Sequence, residues 1–374
     1  MKQHLEVLDG LRGTAAISVL VFHFQELSLG LTEPDALWMR RAYLAVDFFF
    51  CLSGYVIGYA YDDRRDRIGI VGFFRVRLIR LHPMVVMGLL LGVASYVFDP
   101  FNSGVSKFPW LQSQHVPWWK LTLCTVGGLL MIPTWSLPNR FGSYFSLNAP
   151  SWSLFWEYLA NIVFATVLWR LKRNGLVLVV ALAAIAVGIS AYTADTLSLG
   201  FAWGQMSYAL ARTAFSFCIG LLLFRFGATI RTSFGYVSLS ILMIVLFIIP
   251  VDRLNWLFEL IVVLVVFPLI VAIGAGAKTS GLIGKICSYA GRISYPVYAV
   301  HYAFIMIFAN YHWTRGINAK VLPWIIALLT ALVILISYGI CVLYDEPIRR
   351  WLGRKTPRDT ASIPSAVAVE TQSQ

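Results

Sequence analysis

The chain has 374 residues, of which 59% are hydrophobic and only 13% charged, against about 25% charged in ordinary soluble domains. Apolar runs of about 17–22 residues recur from end to end, each long enough to cross a hydrocarbon core, so the composition excludes a soluble domain and reads as an integral membrane protein. A net charge of +12 would point to nucleic acid in a soluble chain; here the basic residues sit in short loops between apolar runs and set orientation, so no nucleic-acid partner is expected. The 13 Trp and 17 Tyr suit two interfacial belts. The fold class that follows is an all-α polytopic membrane protein.

Ten crossing helices are predicted, over about 10–29, 43–61, 83–98, 151–170, 175–192, 207–224, 233–250, 254–273, 293–311 and 321–343. The first is entered through Leu8-Asp9-Gly10-Leu11-Arg12 and further on reads Val21-Phe22-His23-Phe24. No small-residue cleavage motif follows it, so it is read as a retained span. Residues eleven apart lie nearly above each other on a helix, which puts Arg12 and His23 on one face, roughly 16 Å apart along the axis. An ionisable group at mid-bilayer depth is costly and marks a functional candidate. Neutral imidazole can act as base or nucleophile in acyl transfer. Gly13 and Ala16 are expected to leave a shallow groove between the two, wide enough for a narrow arm such as the pantetheine of coenzyme A.

The second helix carries Asp47 ahead of Phe48-Phe49-Phe50. Such an acid should not face lipid; it is expected either to pair with Arg212 or to serve an acceptor site. The following loop reads Phe74-Arg75-Val76-Arg77-Leu78-Ile79-Arg80-Leu81-His82. Arg77 and Arg80, three apart, share a helical face and suit either anionic lipid heads or a phosphate clamp.

Segment 119–137 is apolar but interrupted by Gly127, Gly128 and Pro133. If it does not cross, the loops with Arg64 to Arg80, Arg170 to Arg173, Arg225 and Arg231, and Lys278 to Arg292 all fall on one side, together with Lys2 and the tail. Lys107, Lys120 and Arg140 then fall on the other side. A crossing would invert the later loops and erase that bias. The positive-inside rule therefore gives both termini to the cytoplasm and makes 99–150 a long external loop with one non-spanning apolar segment.

The fourth span opens Ser151-Trp152-Ser153-Leu154-Phe155-Trp156-Glu157. Glu157 suits the positive end of the helix dipole, and at the outer mouth it could also deprotonate a sugar hydroxyl. The ninth holds Ser294-Tyr295-Pro296-Val297-Tyr298 and His301, which suits helix packing or the lining of a donor tunnel. Asp345-Glu346-Pro347-Ile348-Arg349-Arg350 reads as a helix stop with local ion pairs. Residues 1–350 form one transmembrane domain, and 351–374 a polar cytoplasmic tail expected to be disordered. The 5 cysteines show no paired spacing, and neither a disulfide framework nor a metal site is expected.

Taken together, Leu8-Asp9-Gly10-Leu11-Arg12-Gly13 with His23, Asp47 with Leu52-Ser53-Gly54, Arg77 with Arg80, Trp152-Ser153-Leu154 with Glu157, Ser294-Tyr295 with Tyr298 and His301, and Glu346-Pro347 resemble the acyltransferase-3 family of membrane-bound O-acyltransferases. The matches keep their order over about residues 5–350. The resemblance implies transfer of an acyl group, usually acetyl, from cytoplasmic acetyl-CoA or another acyl-CoA to a hydroxyl of a surface glycan or lipid-linked saccharide. It implies His23 and Arg12 as the essential pair, with Arg77 and Arg80 near the donor. With Glu157 it makes His23 the catalytic candidate; Arg12, Arg77, Arg80, Asp47 and His301 are the binding candidates. Phe155-Trp156-Glu157-Tyr158 departs from relatives with two consecutive acids, and no esterase-like domain follows, which implies a stand-alone form in a bacterial inner membrane. Two other functions stay open at this point. One is a transporter or flippase of lipid-linked sugars, which also needs buried charge. The other is an O-succinyltransferase on the same scaffold.

Overall fold

The computed structural model describes residues 5–29, 36–102, 116–251 and 253–354. Lys2, Lys107 and the tail from Lys355 onward lie outside these residues. Among the described residues every regular element is helical; one isolated antiparallel bridge joins Ser143 and Ala202. Only a helix can satisfy the backbone of a single apolar segment within the segment itself, which is what a bilayer demands.

In chain order the helices are α1 (Glu6–Ser28), α2 (Ala45–Tyr61), α3 (Arg65–Val97), α4 (Trp118–Leu129), α5 (Ser151–Val163), α6 (Arg173–Ala194), α7 (Met206–Arg225), α8 (Tyr236–Ile248), α9 (Asn255–Ile261), α10 (Phe267–Gly276), α11 (Gly281–Arg315), α12 (Leu322–Ile340) and α13 (Glu346–Arg354). Wider π-helical turns continue α5 over Phe164–Leu168, join α9 to α10 over Val262–Val266, and join α12 to α13 over Cys341–Asp345. All ten predicted intervals are thus helical. By length and apolarity, 7 helical stretches among the described residues can cross a membrane, and Tyr236–Ile248 is a shorter apolar helix. One of the seven, Ala42–Val97, holds two of the predicted intervals. The expected count of ten is therefore larger than the number that length and apolarity select.

The ambiguous segment resolves clearly. α4 has 12 residues, roughly 18 Å of helix, too little for a core of about 30 Å. Past it the chain leaves helical geometry and folds back: Thr134 N–H donates to Tyr144 O at 2.9 Å, and Tyr144 N–H to Phe201 O at 3.2 Å. At the other end, α13 includes residues 351–354, so the chain stays helical past the point where the tail was expected to begin.

Bundle packing depends on backbone-to-backbone approach. Lipid gives helices no hydrophobic reason to associate, so small residues that bring backbones close take over. α1 lies along α11, its principal partner. A Cβ on Gly13 would stand 2.5 Å from Ala290 Cβ, and one on Gly291 would stand 2.5 Å from Asp9 Cβ. α2 and α7 lock reciprocally: a Cβ on Gly54 would meet Phe217 O at 2.0 Å, and one on Gly220 would meet Cys51 O at 1.9 Å. α3 approaches α11 at Gly88, whose Cβ would lie 2.2 Å from Ala299 O. α11 has 35 residues, roughly 50 Å, and carries Lys285 and Arg292 in its N-terminal half; α3 breaks at Gly69, where φ is 62° and ψ 174°, and carries Arg75, Arg77 and Arg80 soon after the break.

The α2–α7 lock gives a direct test. Gly220→Val should cost about 1–3 kcal/mol or more, since the added atoms meet a carbonyl rather than a side chain that can turn away. Gly339→Ala in α12 meets nothing within 4 Å and should be neutral or slightly stabilising. Thermal melts of the two variants in detergent, compared with the parent, measure the difference.

Candidate active site

α1 presents Arg12 and His23 toward α11, as the eleven-residue spacing requires. Arg12 Nη2 donates to Gly291 O at 2.7 Å and pairs with Asp9 Oδ1 at 3.1 Å, while Nε donates to Ser294 Oγ at 2.8 Å. His23 Nδ1 lies 2.8 Å from Glu26 Oε2, one helical turn on. On its other side the imidazole stacks on His301, with centroids 5.4 Å apart and ring planes 17° apart. The Arg12 and His23 side chains remain 25% and 24% exposed, enough for a ligand to reach both.

The expected groove between Arg12 and His23 is absent on this face. Ala290 of α11 fills the space over Gly13, and Ala16 is 2% exposed. The small residues here bring two helices together and leave no channel between them.

Asp47 and Arg212 pair with each other, one of the two roles expected for the acid. Arg212 Nη2 lies 2.5 Å from Asp47 Oδ2, and its Nε donates to both carboxylate oxygens at 3.2 and 3.1 Å. Both side chains are sealed from solvent, with Ser216 also donating to Asp47 and Arg212 Nη1 donating to Leu199 O at 2.6 Å. Glu157 accepts from Arg77 Nη2 at 2.6 Å and from Ser53 Oγ at 3.1 Å. α3, α5 and α2 are tied at that point. Arg77 therefore turns into the bundle, and Glu157 sits nearly two turns inside α5. Arg80 takes no part in either pair and lies within Coulombic reach of Arg77, Arg12, Tyr61 and Asp9. The two arginines three apart thus serve different neighbours, yet all three guanidinium groups gather near one end of α1.

His301 is 1% exposed, and its Nδ1 lies 3.1 Å from Val297 O. A carbonyl can only accept, so Nδ1 carries the hydrogen and Nε2 is left as an acceptor with no partner among the described residues. Asp345 and Glu346 form the expected local pairs with Arg349 and Arg350 at 2.7 and 3.1 Å. Glu346 also holds Arg292 of α11 at 2.6 Å, a contact the local reading missed.

Three other groups escaped the sequence reading. Glu26 stands three residues after His23, a spacing that puts them on adjacent rows of one helix, and that spacing was the available signal. Glu259 is fully buried among Tyr43, Asn255, Thr196 and the Leu197 N–H, beside Arg41; one acid in an apolar run marked it. Arg140 is 1% exposed, although it was expected to be a loop charge. Among the described residues no group of three His, Cys, Asp or Glu side chains is placed to hold a metal ion.

The family profile described as "Acyltransferase domain", of the acyltransferase-3 type, matches residues 5–342. The chain belongs to this family. It is 33% identical over 187 residues to "Protein 2 in picA locus" of Rhizobium radiobacter, an alignment covering 50% of this chain and 93% of the relative. It is 25% identical over 378 residues to O-acetyltransferase OatA of Staphylococcus aureus (strain NCTC 8325 / PS 47), covering 93% of this chain. The chain spans 58% of the length of that relative. No solved structure gives a significant match.

The sealed Asp47–Arg212 pair sets a stability expectation. Arg212→Met alone strands a buried carboxylate and should cost about 3–5 kcal/mol. The Asp47→Leu, Arg212→Met double variant removes both charges and should recover most of that loss. A double-mutant cycle of melting temperatures in detergent checks it. A double variant as unstable as the single one would mean that packing, not charge compensation, holds this site.

Proposed function

We propose that this protein is an O-acyltransferase that takes an acyl group, acetyl in the first instance, from cytoplasmic acyl-CoA and passes it to a hydroxyl of an extracytoplasmic glycan or lipid-linked saccharide. The observation that carries the reading is the His23–Glu26 contact at 2.8 Å on a helix whose other end holds Arg12. A carboxylate at Nδ1 makes that nitrogen the proton carrier and leaves the lone pair on Nε2.

In the proposed reaction Nε2 removes the acceptor hydroxyl proton as the oxygen bonds to the acyl carbon. The carbon–sulfur bond breaks, the electron pair leaves with the sulfur of coenzyme A, and the imidazolium returns its proton to that thiolate. Glu26 stabilises the imidazolium between those two moments. Arg12 and Arg80 would hold the donor's phosphates. Arg77 and Arg12 both lie within Coulombic reach of Arg80 and repel it, and a polyanion relieves that repulsion through charge-assisted bonds. Arg77, already held by Glu157, supports this cluster and ties α3 to α5. The donor arm cannot pass between α1 and α11 at Gly13, so it follows the flank of α1 that Arg12 shares with Arg80. His301 backs the His23 ring and fixes its tilt.

His23→Ala should abolish transfer at matched protein level, and Glu26→Gln should lower the rate about 10²-fold or more by leaving the imidazolium without its counter-charge. Transfer from acetyl-CoA and from succinyl-CoA, followed as the mass shift on isolated envelope glycan, reads both the loss and the acyl preference. Activity of the His23 variant near that of the parent would remove this mechanism.

The topology proposed with this function places α4 and the loop after it outside and both termini in the cytoplasm. Trp135 is 59% exposed and Arg140 is 1% exposed, so position 135 is the informative one. In a cysteine-free background, Trp135→Cys should react with a membrane-impermeant thiol reagent in intact cells. Lys172→Cys should react only after permeabilisation. The reverse pattern would put Arg12 and Arg80 on the wrong side for a cytoplasmic donor.

A further inference from the structure

Arg140 is a buried cation with no hydrogen-bonded acid among the described residues. Its Nη1 donates to Asn139 O at 3.0 Å, and its guanidinium lies 4.7 Å from the centre of the Tyr96 ring. Nε and Nη2 have no partner among the described residues. Asp99 is within Coulombic reach, but its carboxylate is used elsewhere: Asn310 Nδ2 donates to Oδ2 at 2.6 Å and Phe101 N–H to Oδ1 at 2.9 Å. The two open nitrogens matter by their identity, since Nε and Nη2 form the side-on fork that meets two oxygens of one carboxylate or phosphate.

The surroundings connect this fork to His23. The hydroxyl of Tyr302 is also buried, with no partner among the described residues, and Tyr302 is within Coulombic reach of both Arg140 and Glu26. Tyr302 follows His301, which stacks on His23. Backbone geometry aims the arginine: Asn139, Phe141 and Gly142 all have positive φ, at 58°, 53° and 71°. Holding two non-glycine residues there is unfavourable, and such conformations persist where the surrounding structure imposes them.

We propose that Arg140 is the anion subsite of the acceptor, taking a carboxylate or a phosphate on an acidic saccharide whose hydroxyl is presented to His23. This rests on the acyl-transfer reading for what happens next, but the binding itself is separable. The acceptor's anion docks side-on at Nε and Nη2, and the Tyr302 hydroxyl donates to the same group or to a neighbouring sugar oxygen. A neutral saccharide leaves the fork unpaired and binds weakly. Acceptor choice is then set by charge before any hydroxyl is selected.

The test uses the full chain in lipid nanodiscs and follows its melting temperature with glucuronate, glucose 1-phosphate, glucose and acetyl-CoA. A saturable rise is expected with glucuronate, glucose 1-phosphate or both, and none with glucose; the stronger anion identifies the group. Arg140→Gln should weaken the response to the anionic sugars about tenfold or more, as for one charge-assisted contact, and leave the acetyl-CoA response intact. Without ligand, Arg140→Met should melt close to the parent, since relief from burying a charge with no bonded acid among the described residues offsets the lost Asn139 carbonyl bond and Tyr96 ring contact. If Arg140→Gln does not fold, Arg140→Lys keeps the charge, loses the fork and should show the same tenfold weakening. Equal stabilisation by glucose, or an undiminished anionic response in the variants, would each overturn the subsite and make Arg140 structural. Retained anionic binding in a parent protein that acetyl-CoA does not stabilise would uphold the subsite and sink the donor reading.

Discussion

The close approach of α1 to α11 is the constraint on which the rest of the molecule depends. Gly13 against Ala290, and Gly291 against Asp9, bring the two backbones within reach of each other's polar groups. Only at that spacing can Arg12 donate to the Gly291 carbonyl and to Ser294, and only then does His23 meet His301 ring to ring. One helix supplies the charge and the imidazole, and the other fixes both. A larger residue at Gly13 would widen the seam and loosen both ends of the site together.

Buried charge does two different jobs in this bundle. Asp47–Arg212 and Arg77–Glu157 are closed pairs whose members satisfy each other, and they tie α2 to α7 and α3 to α5. Such pairs add little net stability, but breaking one is costly, so they fix which helices stand side by side. Arg140 is open by comparison, and Arg80 takes no part in either pair. Arg80 lies within Coulombic reach of Arg77 and Arg12, and Arg140 keeps two donors with no partner among the described residues. Closed pairs hold the scaffold.

One loop is held at a cost in stability. The loop at Arg140 holds Phe141 in left-handed backbone geometry, at roughly 1–2 kcal/mol for a residue with a Cβ. It also buries a guanidinium with no bonded acid among the described residues. Neither feature helps the free protein fold. The loop's own bonds, Thr134 to Tyr144, Tyr144 to Phe201 and Ser146 Oγ to Ser143 O, hold it in place regardless.

The sequence by itself determined the helices, the shared face of Arg12 and His23, the failure of the 119–137 segment to cross, and the family. Each of these is local: hydropathy over one run, spacing on one helix, or motifs in order. It could offer Arg212 as a partner for Asp47 because both are ionisable residues in otherwise apolar spans, where a charge must find its opposite. Which other charge meets which was decided by the tertiary structure. Arg77 and Arg80 look equivalent at three residues apart, yet α5 packs against α3 so that only Arg77 reaches Glu157. Gly13 and Ala16 read equally as a groove or as a seam until α11 fills the space. Arg140 reads as a solvated loop charge until the loop folds back into the bundle. A residue's period is set by its own helix, but its partner is set by backbones hundreds of residues away, and no local pattern carries that distance.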